Sequence, residues 1–261
     1  MQNWSIKDDI RDYWSLRAQT YDASPGHGIA EHAEMEAWGR LIRRHLGDGE
    51  GRKALDLACG TGVMTMLMHG LGFDVTGLDF TEPMMAHARR KADEAKASIR
   101  FLTRDAEETM EPDGTYDVII ARHLVWTLTD PDKAFADWLR ILKPGGRLLI
   151  IDGDFVRKHW LEKLLPLLDR IFGKQKDGHS LLTPEQWQHH ERIVGQVHFN
   201  NGIRADDTVR LFESAGFGEL KVETDLADIR RSRGIPLLSR KGVSSTLQHR
   251  FAISGKKARS G

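Results

Sequence analysis

Lys53-Ala54-Leu55-Asp56-Leu57-Ala58-Cys59-Gly60-Thr61-Gly62 is the stretch that decides the fold of this chain. An apolar run of strand length leads into two glycines and then into a segment with helical spacing, which predicts a strand, a tight turn and a helix. In an α/β sheet such a turn lies at the carboxyl end of the strand, where a cofactor sits. Glycine at 60 and 62 lets backbone approach a ligand with no Cβ in the way. A nicotinamide dinucleotide site also uses a glycine-rich first turn, but its G-x-G-x-x-G spacing would require glycine or alanine at 65, where this chain has Thr65. Asp56, inside the strand end, suits a zwitterionic aminoacyl ligand better than a pyrophosphate.

Outward from this turn the chain alternates short apolar strands, at 53–58, 73–79, 99–103, 116–121 and 147–152, with helices at 62–71, 83–97 and 131–142. That βαβ rhythm predicts a doubly wound, mostly parallel sheet. Strands at 220–226 and 248–254, the last closing antiparallel, make it seven-stranded. The expected organisation is a helical lid over 1–50, a cofactor-binding core over 51–152, a helical insertion and substrate cap over 153–204 with helices at 158–172 and 184–194, and a return to the core sheet over 205–261. Lysine plus arginine equal aspartate plus glutamate at 38 each, so no global field favours nucleic acid or an anionic membrane. Cys59 is the single cysteine, which excludes a disulfide framework and fits a reducing compartment. With no secretory or membrane-spanning pattern in view, the expectation is a cytoplasmic protein, monomeric or homodimeric.

Asp56-Leu57-Ala58-Cys59-Gly60-Thr61-Gly62 resembles the first motif of the class I S-adenosylmethionine (SAM)-dependent methyltransferases, of the small-molecule group that includes quinone-biosynthesis enzymes, with Ala58 in place of the first glycine. Three more motifs follow in register through about residue 152: Asp79 ending the second strand, Arg104-Asp105-Ala106-Glu107 after the third, and Lys143-Pro144-Gly145-Gly146 before the fifth. The resemblance implies a Rossmann-like methyltransferase fold that uses SAM and releases S-adenosylhomocysteine. It also implies that the first motif holds the aminoacyl part of the cofactor, Asp79 the ribose hydroxyls, Asp105 the adenine amino group and the Ala106 N–H a ring nitrogen. Phe80 and Met84 are placed to flank adenine or to fill the core, and Arg122 and His123 end the strand facing the reactive sulfonium. Tyr13, Arg17 and Tyr21 are expected near the methionyl carboxylate, with core packing an open alternative for Tyr13. Cys59 reads as a small loop residue rather than a nucleophile.

Methyl transfer from a sulfonium needs collinear positioning above all, and a base only when the acceptor holds a proton at neutral pH. Histidine titrates in the right range. His123 is the first candidate, open also to a role beside adenosine, and His27 and His198 follow. Trp126, Trp160, His179, Phe199 and Asn200 are candidates for the acceptor pocket, whose aromatic and polar mix suits a small ligand; a hairpin covering the sheet is the other reading. No metal is expected, because the histidines lack ligand spacing. The locally basic run Arg230-Arg231-Ser232-Arg233, with Arg240-Lys241 and Lys256-Lys257, reads as solvated loop. The expected function is therefore methyl transfer to a small molecule, against the alternatives of an RNA or protein methyltransferase and of a non-catalytic SAM-binding sensor.

Overall fold

The computed structural model describes residues 5–22, 28–29, 31–157, 183–235 and 240–259. The first insertion helix expected at 158–172, with Trp160, lies outside the described residues, as do His27 and His179. Seven strands form one sheet: β1 (Lys53–Leu57), β2 (Asp74–Asp79), β3 (Arg100–Thr103), β4 (Tyr116–Arg122), β5 (Leu142–Gly153), β6 (Gly218–Glu223) and β7 (Arg250–Lys256), in the order β3-β2-β1-β4-β5-β7-β6. Strands β1 to β5 pair in parallel, and β7 runs antiparallel to both β5 and β6, as expected of the last strand. The order reverses between β1 and β4, which makes their carboxyl ends the crevice of the fold.

The central strands are apolar on both faces, so successive residues feed two cores. Leu55, Leu57, Ile119, Ala121, Leu148 and Ile150 pack with helices α5 (Pro131–Ile141) and α7 (Ala205–Ala215) around Phe135, Trp138 and Phe212. Ala54, Val118, Ile120, Leu149 and Ile151 face the other way, onto α2 (His32–Leu46) and α3 (Val63–Gly70) through Trp38, Leu41, Ile42, Met64 and Met68. Local signals set the helix ends. Asp130 caps α5 by accepting from Lys133 N at 3.1 Å, with Pro131 in the first turn. A Thr183–Gln186 capping box starts α6 (Pro184–Val194), and a Ser5–Asp8 box starts α1 (Ile6–Arg17). Helix α4 (Glu82–Glu94) follows β2.

Two segments depart from the sequence expectation. Strand β5 begins at Leu142, so Lys143-Pro144-Gly145-Gly146 lies within an irregular edge of the strand, where a Cβ on Gly146 would sit 2.9 Å from Lys143 O and 3.0 Å from Asp117 O. The basic run expected as solvated loop instead forms α8 (Ala227–Ser232), followed by α9 (Arg240–Leu247). The apolar triplet Leu226, Ala227 and Ile229 is buried, with Leu226 and Ile229 in the core of α2, and this burial outweighs the charge around it. Among the described residues, no helix is long and apolar enough to cross a membrane.

Candidate active site

The turn after β1 is built from left-handed backbone: φ is 51° at Ala58, 55° at Gly60 and 80° at Gly62. It is tied to β2 by Cys59 N donating to Leu78 O at 2.9 Å and by Gly60 N donating to Asp79 Oδ2 at 2.9 Å. The two glycines do different work. A Cβ on Gly60 would meet only Tyr21 Cε1, at 4.0 Å, whereas one on Gly62 would meet Ala88 of α4, Cβ at 2.9 Å and Cα at 3.2 Å. Gly60 thus keeps a cavity open, and Gly62 lets helix and turn pack closely.

That cavity, about 740 Å³ counted to its open mouth, has a wall from every element around the crevice. The turn contributes Ala58 and Gly60, β2 and the start of α4 contribute Asp79, Phe80, Thr81 and Met84, and the segment after β3 contributes Arg104, Asp105, Ala106 and Glu107. Arg122, His123, Leu124, Thr127 and Leu128 follow from β4, while Lys7, Ile10 and Trp14 descend from α1 and Tyr21 follows it. Asp79 is 6 % exposed, and its Oδ1 accepts from Thr81 N at 2.8 Å. Burial raises its pKa; the Thr81 and Gly60 N–H groups pull the other way. Asp105 Oδ1 accepts from Glu107 N at 2.9 Å, and the Trp138 indole donates to Ala106 O at 2.7 Å, which fixes the segment under the cavity. Lys7 Nζ lies 2.6 Å from Asp105 Oδ2 and 2.9 Å from Glu107 Oε2. Burial works against that ammonium, but the bonds to Asp105 and Glu107 prevail and its pKa is raised.

At the end of β4, His123 has φ 60°, a left-handed conformation rare outside glycine. Its N–H donates to Ile151 O at 2.9 Å and its carbonyl accepts from Trp126 Nε1 at 3.1 Å. Asp152, 1 % exposed at the end of β5, completes the clamp: Oδ2 accepts from Trp126 N at 3.3 Å and Oδ1 from Gly153 N at 2.9 Å. Burial pushes Asp152 up to about 7. The His123 ring lies 5.0 Å from Phe155, which also meets Trp126 at 5.9 Å, and Trp126 reaches His190 of α6 at 6.0 Å.

Of the residues expected around the cofactor, Tyr21, Ala58, Gly60, Asp79, Phe80, Met84, Asp105, Ala106, Glu107, Arg122 and His123 line this cavity; Tyr13, Arg17, Asp56, Cys59 and Gly62 do not. Tyr13 packs with Ile10, Ile193 and Val197 and against the rings of His189 and His190. Arg17 is buried near the end of α1. Asp56 accepts from Thr65 Oγ1 at 2.6 Å, tying β1 to α3, and burial pushes it up to about 7. Cys59 turns its Sγ to Met85 Sδ at 3.5 Å, with its thiol pKa raised by burial. Trp126 stands behind the wall, Phe199 packs on the adjoining core, and His198 and Asn200 are exposed. Lys7, Trp14, Leu124, Thr127 and Leu128 were not singled out from sequence as site residues; nothing in the pattern of α1 marks Lys7, because its partners are about a hundred residues away.

The fold is Rossmann-like, with a cavity at its switch point. Residues 55–150 match a family described as a methyltransferase domain. The demethylmenaquinone methyltransferase of Thermus thermophilus is 35 % identical over 127 residues, 45 % of this chain, which spans 58 % of that protein's length. The Staphylococcus aureus enzyme of the same name is 23 % identical over 233 residues, 85 % of this chain and 90 % of that one. Geranyl diphosphate C-methyltransferase from Streptomyces coelicolor A3(2), solved with S-adenosylhomocysteine, shares the fold at TM-score 0.64 and 16 % identity, covering 99 % of this chain and all of its own. The chain is thus similar to small-molecule methyltransferases, through a methyltransferase domain over residues 55–150 and through its fold.

Proposed function

We propose that the chain transfers the methyl group of SAM to a small, largely apolar, ring-bearing acceptor. The observation that carries this reading is the convergence of Gly60, Asp79, Asp105 and His123 on one cavity at the switch point of the sheet. The residues fit the cofactor. Gly60 leaves a cradle that a Cβ would enter, the Asp79 carboxylate has lone pairs beyond the two that accept backbone N–H, and the segment 104–107 brings the Asp105 carboxylate to the same cavity. In this reading Asp79 holds the ribose, Asp105 and Ala106 the adenine between Phe80 and Met84, and Arg122 with Tyr21 the methionyl carboxylate. When bound, SAM supplies a methyl carbon on a sulfonium whose sulfur departs as a neutral thioether.

The protein's share is then to orient and to exclude water, for which about 7–11 kcal/mol is available in well-positioned reactions. Helix α1 is the proposed lid, because Lys7, Ile10 and Trp14 close one side of the cavity. Helix α6, with the rest of 153–204, is the proposed substrate cap. The acceptor's ring would lie against Phe155 and Trp126, with His123 taking a proton at an imidazole nitrogen where the acceptor carries one. Both curated relatives are named for demethylmenaquinone, which supports an apolar ring acceptor. The balanced charge and single cysteine support a cytoplasmic enzyme with no nucleic acid or membrane partner.

The test is calorimetry of SAM binding to the chain and to Asp79→Ala, followed by S-adenosylhomocysteine release across a panel of quinols, phenols and amines. Binding lost with Asp79 and release with one acceptor class is the expected result. A folded chain that does not bind SAM refutes it; binding without release from any acceptor points to the sensor, and labelling of total RNA to the nucleic-acid enzyme.

A further inference from the structure

The segment that leaves α1, Ala18-Gln19-Thr20-Tyr21-Asp22, comes down on the glycine-rich turn. Tyr21 faces the cofactor cavity. Its Cε1 is 4.0 Å from the point where a Cβ on Gly60 would stand, its ring meets Trp14 edge-on at 5.8 Å, and the Arg122 guanidinium donates to its hydroxyl. Asp22, the next residue, is not part of that cavity's wall; it lines a separate groove with Lys91, Val63 and Met66. Neighbouring side chains thus part, one to the cavity and one to the outer side of the turn.

On that outer side both oxygens of Asp22 are engaged. Oδ1 accepts from Thr61 Oγ1 at 2.5 Å, and Oδ2 lies 2.7 Å from Lys91 Nζ of α4. Lys91 closes the ring of bonds by donating to Thr61 O at 2.9 Å. Thr61, 1 % exposed, stands between Gly60 and Gly62, so one residue of the turn is grasped through its hydroxyl by the N-terminal segment and through its carbonyl by α4. Burial works against the Asp22 carboxylate, but the bonds from Lys91 and Thr61 prevail and hold its pKa below the ordinary range. A part-exposed pair of this kind adds little to global stability. Local opening of a segment, by contrast, is governed by the few contacts that fasten it.

We propose that Asp22 is a positioning residue for the cofactor, strapping Tyr21 across the glycine-rich turn through Thr61 and Lys91, and that this strap must open before the cofactor can leave. The inference rests on the methyltransferase reading above. Asp22 acts through Tyr21, to which it is joined by one peptide bond, and through Thr61, whose neighbours Gly60 and Gly62 shape the turn. With the strap closed, Tyr21 stays over Gly60 beside Arg122, where the methionyl end of the cofactor is assigned. With it open, Tyr21 leaves the turn and the wall made by Trp14 and Tyr21 gives way to water. Lys7 fastens the other end of α1 to Asp105 and Glu107, so the lid is held at the adenine end by one set of contacts and at the methionyl end by the other.

Stopped-flow dissociation of S-adenosylhomocysteine from the full chain, followed by tryptophan fluorescence, tests this when association rates and thermal unfolding are measured alongside. Asp22→Ala and Lys91→Met should each quicken dissociation about five- to tenfold, through the loss of one or two part-exposed polar contacts. Association should stay within about twofold, and Tm should fall by under about 3 °C. Lys91→Arg, which can still donate to both Asp22 and Thr61 O, should keep dissociation within about twofold of the wild type. Raising salt to about 1 M should bring the wild type toward the rate of Lys91→Met, because a part-exposed pair is screened. If Asp22→Ala fails to fold, Lys91→Met with its arginine rescue carries the test. Unchanged dissociation in the folded variants, or dissociation as fast in Lys91→Arg as in Lys91→Met, overturns the strap; failure of the wild type to bind S-adenosylhomocysteine overturns the methyltransferase reading instead.

Discussion

Substituting the two glycines of the first turn separately should split stability from cofactor binding. Gly62→Ala puts a Cβ 2.9 Å from Ala88 Cβ and 3.2 Å from its Cα, at a residue with φ 80°. The left-handed backbone alone costs about 1–2 kcal/mol with a side chain, and the overlap forces α4 off the turn at about 1–3 kcal/mol. The total, about 2–5 kcal/mol, corresponds to a fall in Tm of roughly 5–15 °C for a chain of this size. Gly60→Ala carries the same kind of backbone cost but meets nothing nearer than Tyr21 Cε1 at 4.0 Å, so its methyl enters the cavity. Its Tm should fall by only a few degrees, while SAM affinity falls at least tenfold. Thermal unfolding followed by circular dichroism, with SAM calorimetry at a temperature where both variants are folded, measures the two effects. Gly62→Ala unfolding with the wild type while losing SAM, or Gly60→Ala retaining full affinity, would refute the division of labour.

Asp79→Asn should lower SAM affinity about a hundredfold, from two charge-assisted bonds of roughly 1.5 kcal/mol each; a loss below threefold in calorimetry would contradict the ribose assignment. Asp152 has a folded pKa of about 7, well above an ordinary carboxyl, so its contribution to stability is full below about pH 4 and is lost as pH rises through 7. The unfolding free energy of the wild type relative to Asp152→Asn should therefore fall by on the order of 4 kcal/mol between pH 4 and 8, and a pH-independent difference in urea melts would refute this. Lys7→Met removes a partly exposed ion pair, so stability should change by under about 1 kcal/mol. Yet if α1 is a lid latched on Asp105 and Glu107, stopped-flow dissociation of SAM should quicken several-fold; an unchanged rate would mean that α1 does not gate the cavity.

What the sequence made legible were features written in local order. The run Lys53–Leu57, the glycines behind it and the acid ending β2 each announce themselves within ten residues, because strand periodicity and turn chemistry are short-range. Asp79 and Asp105 were picked out by the family resemblance of such short motifs, and both line the cavity. Asp56 and Gly62 belong to the same motif, yet one turns to Thr65 and the other to Ala88. A motif fixes backbone geometry, and which of its side chains face the ligand is decided by the helices packed behind it. Lys7 against Asp105, and Arg233 against Glu34, are pairings across most of the chain, which periodicity cannot register. The basic run became α8 for a related reason: the spacing of Leu226, Ala227 and Ile229 is too short a signal until Trp38 and Ile42 are known to lie beneath it.

The crevice itself follows from strain at two neighbouring strand ends. Leu57 pairs with Ala121, and just beyond that rung Ala58 and His123 both adopt left-handed backbone, φ 51° and 60°. Neither is glycine, so each conformation costs of order 1–3 kcal/mol and persists only because its surroundings overdetermine it. Beyond Ala58 the turn is pinned by Cys59 N on Leu78 O, and His123 is held by Ile151 O, the Trp126 indole and, behind Trp126, the buried Asp152. Relaxed strands would carry on side by side and fill the gap between β1 and β4. Two left-handed residues turn the chains out of the sheet instead, one into α3 and the other toward the 124–128 segment that lines the cavity. On this reading Asp152 contributes to the site without touching it, by holding open the strand end on which His123 stands.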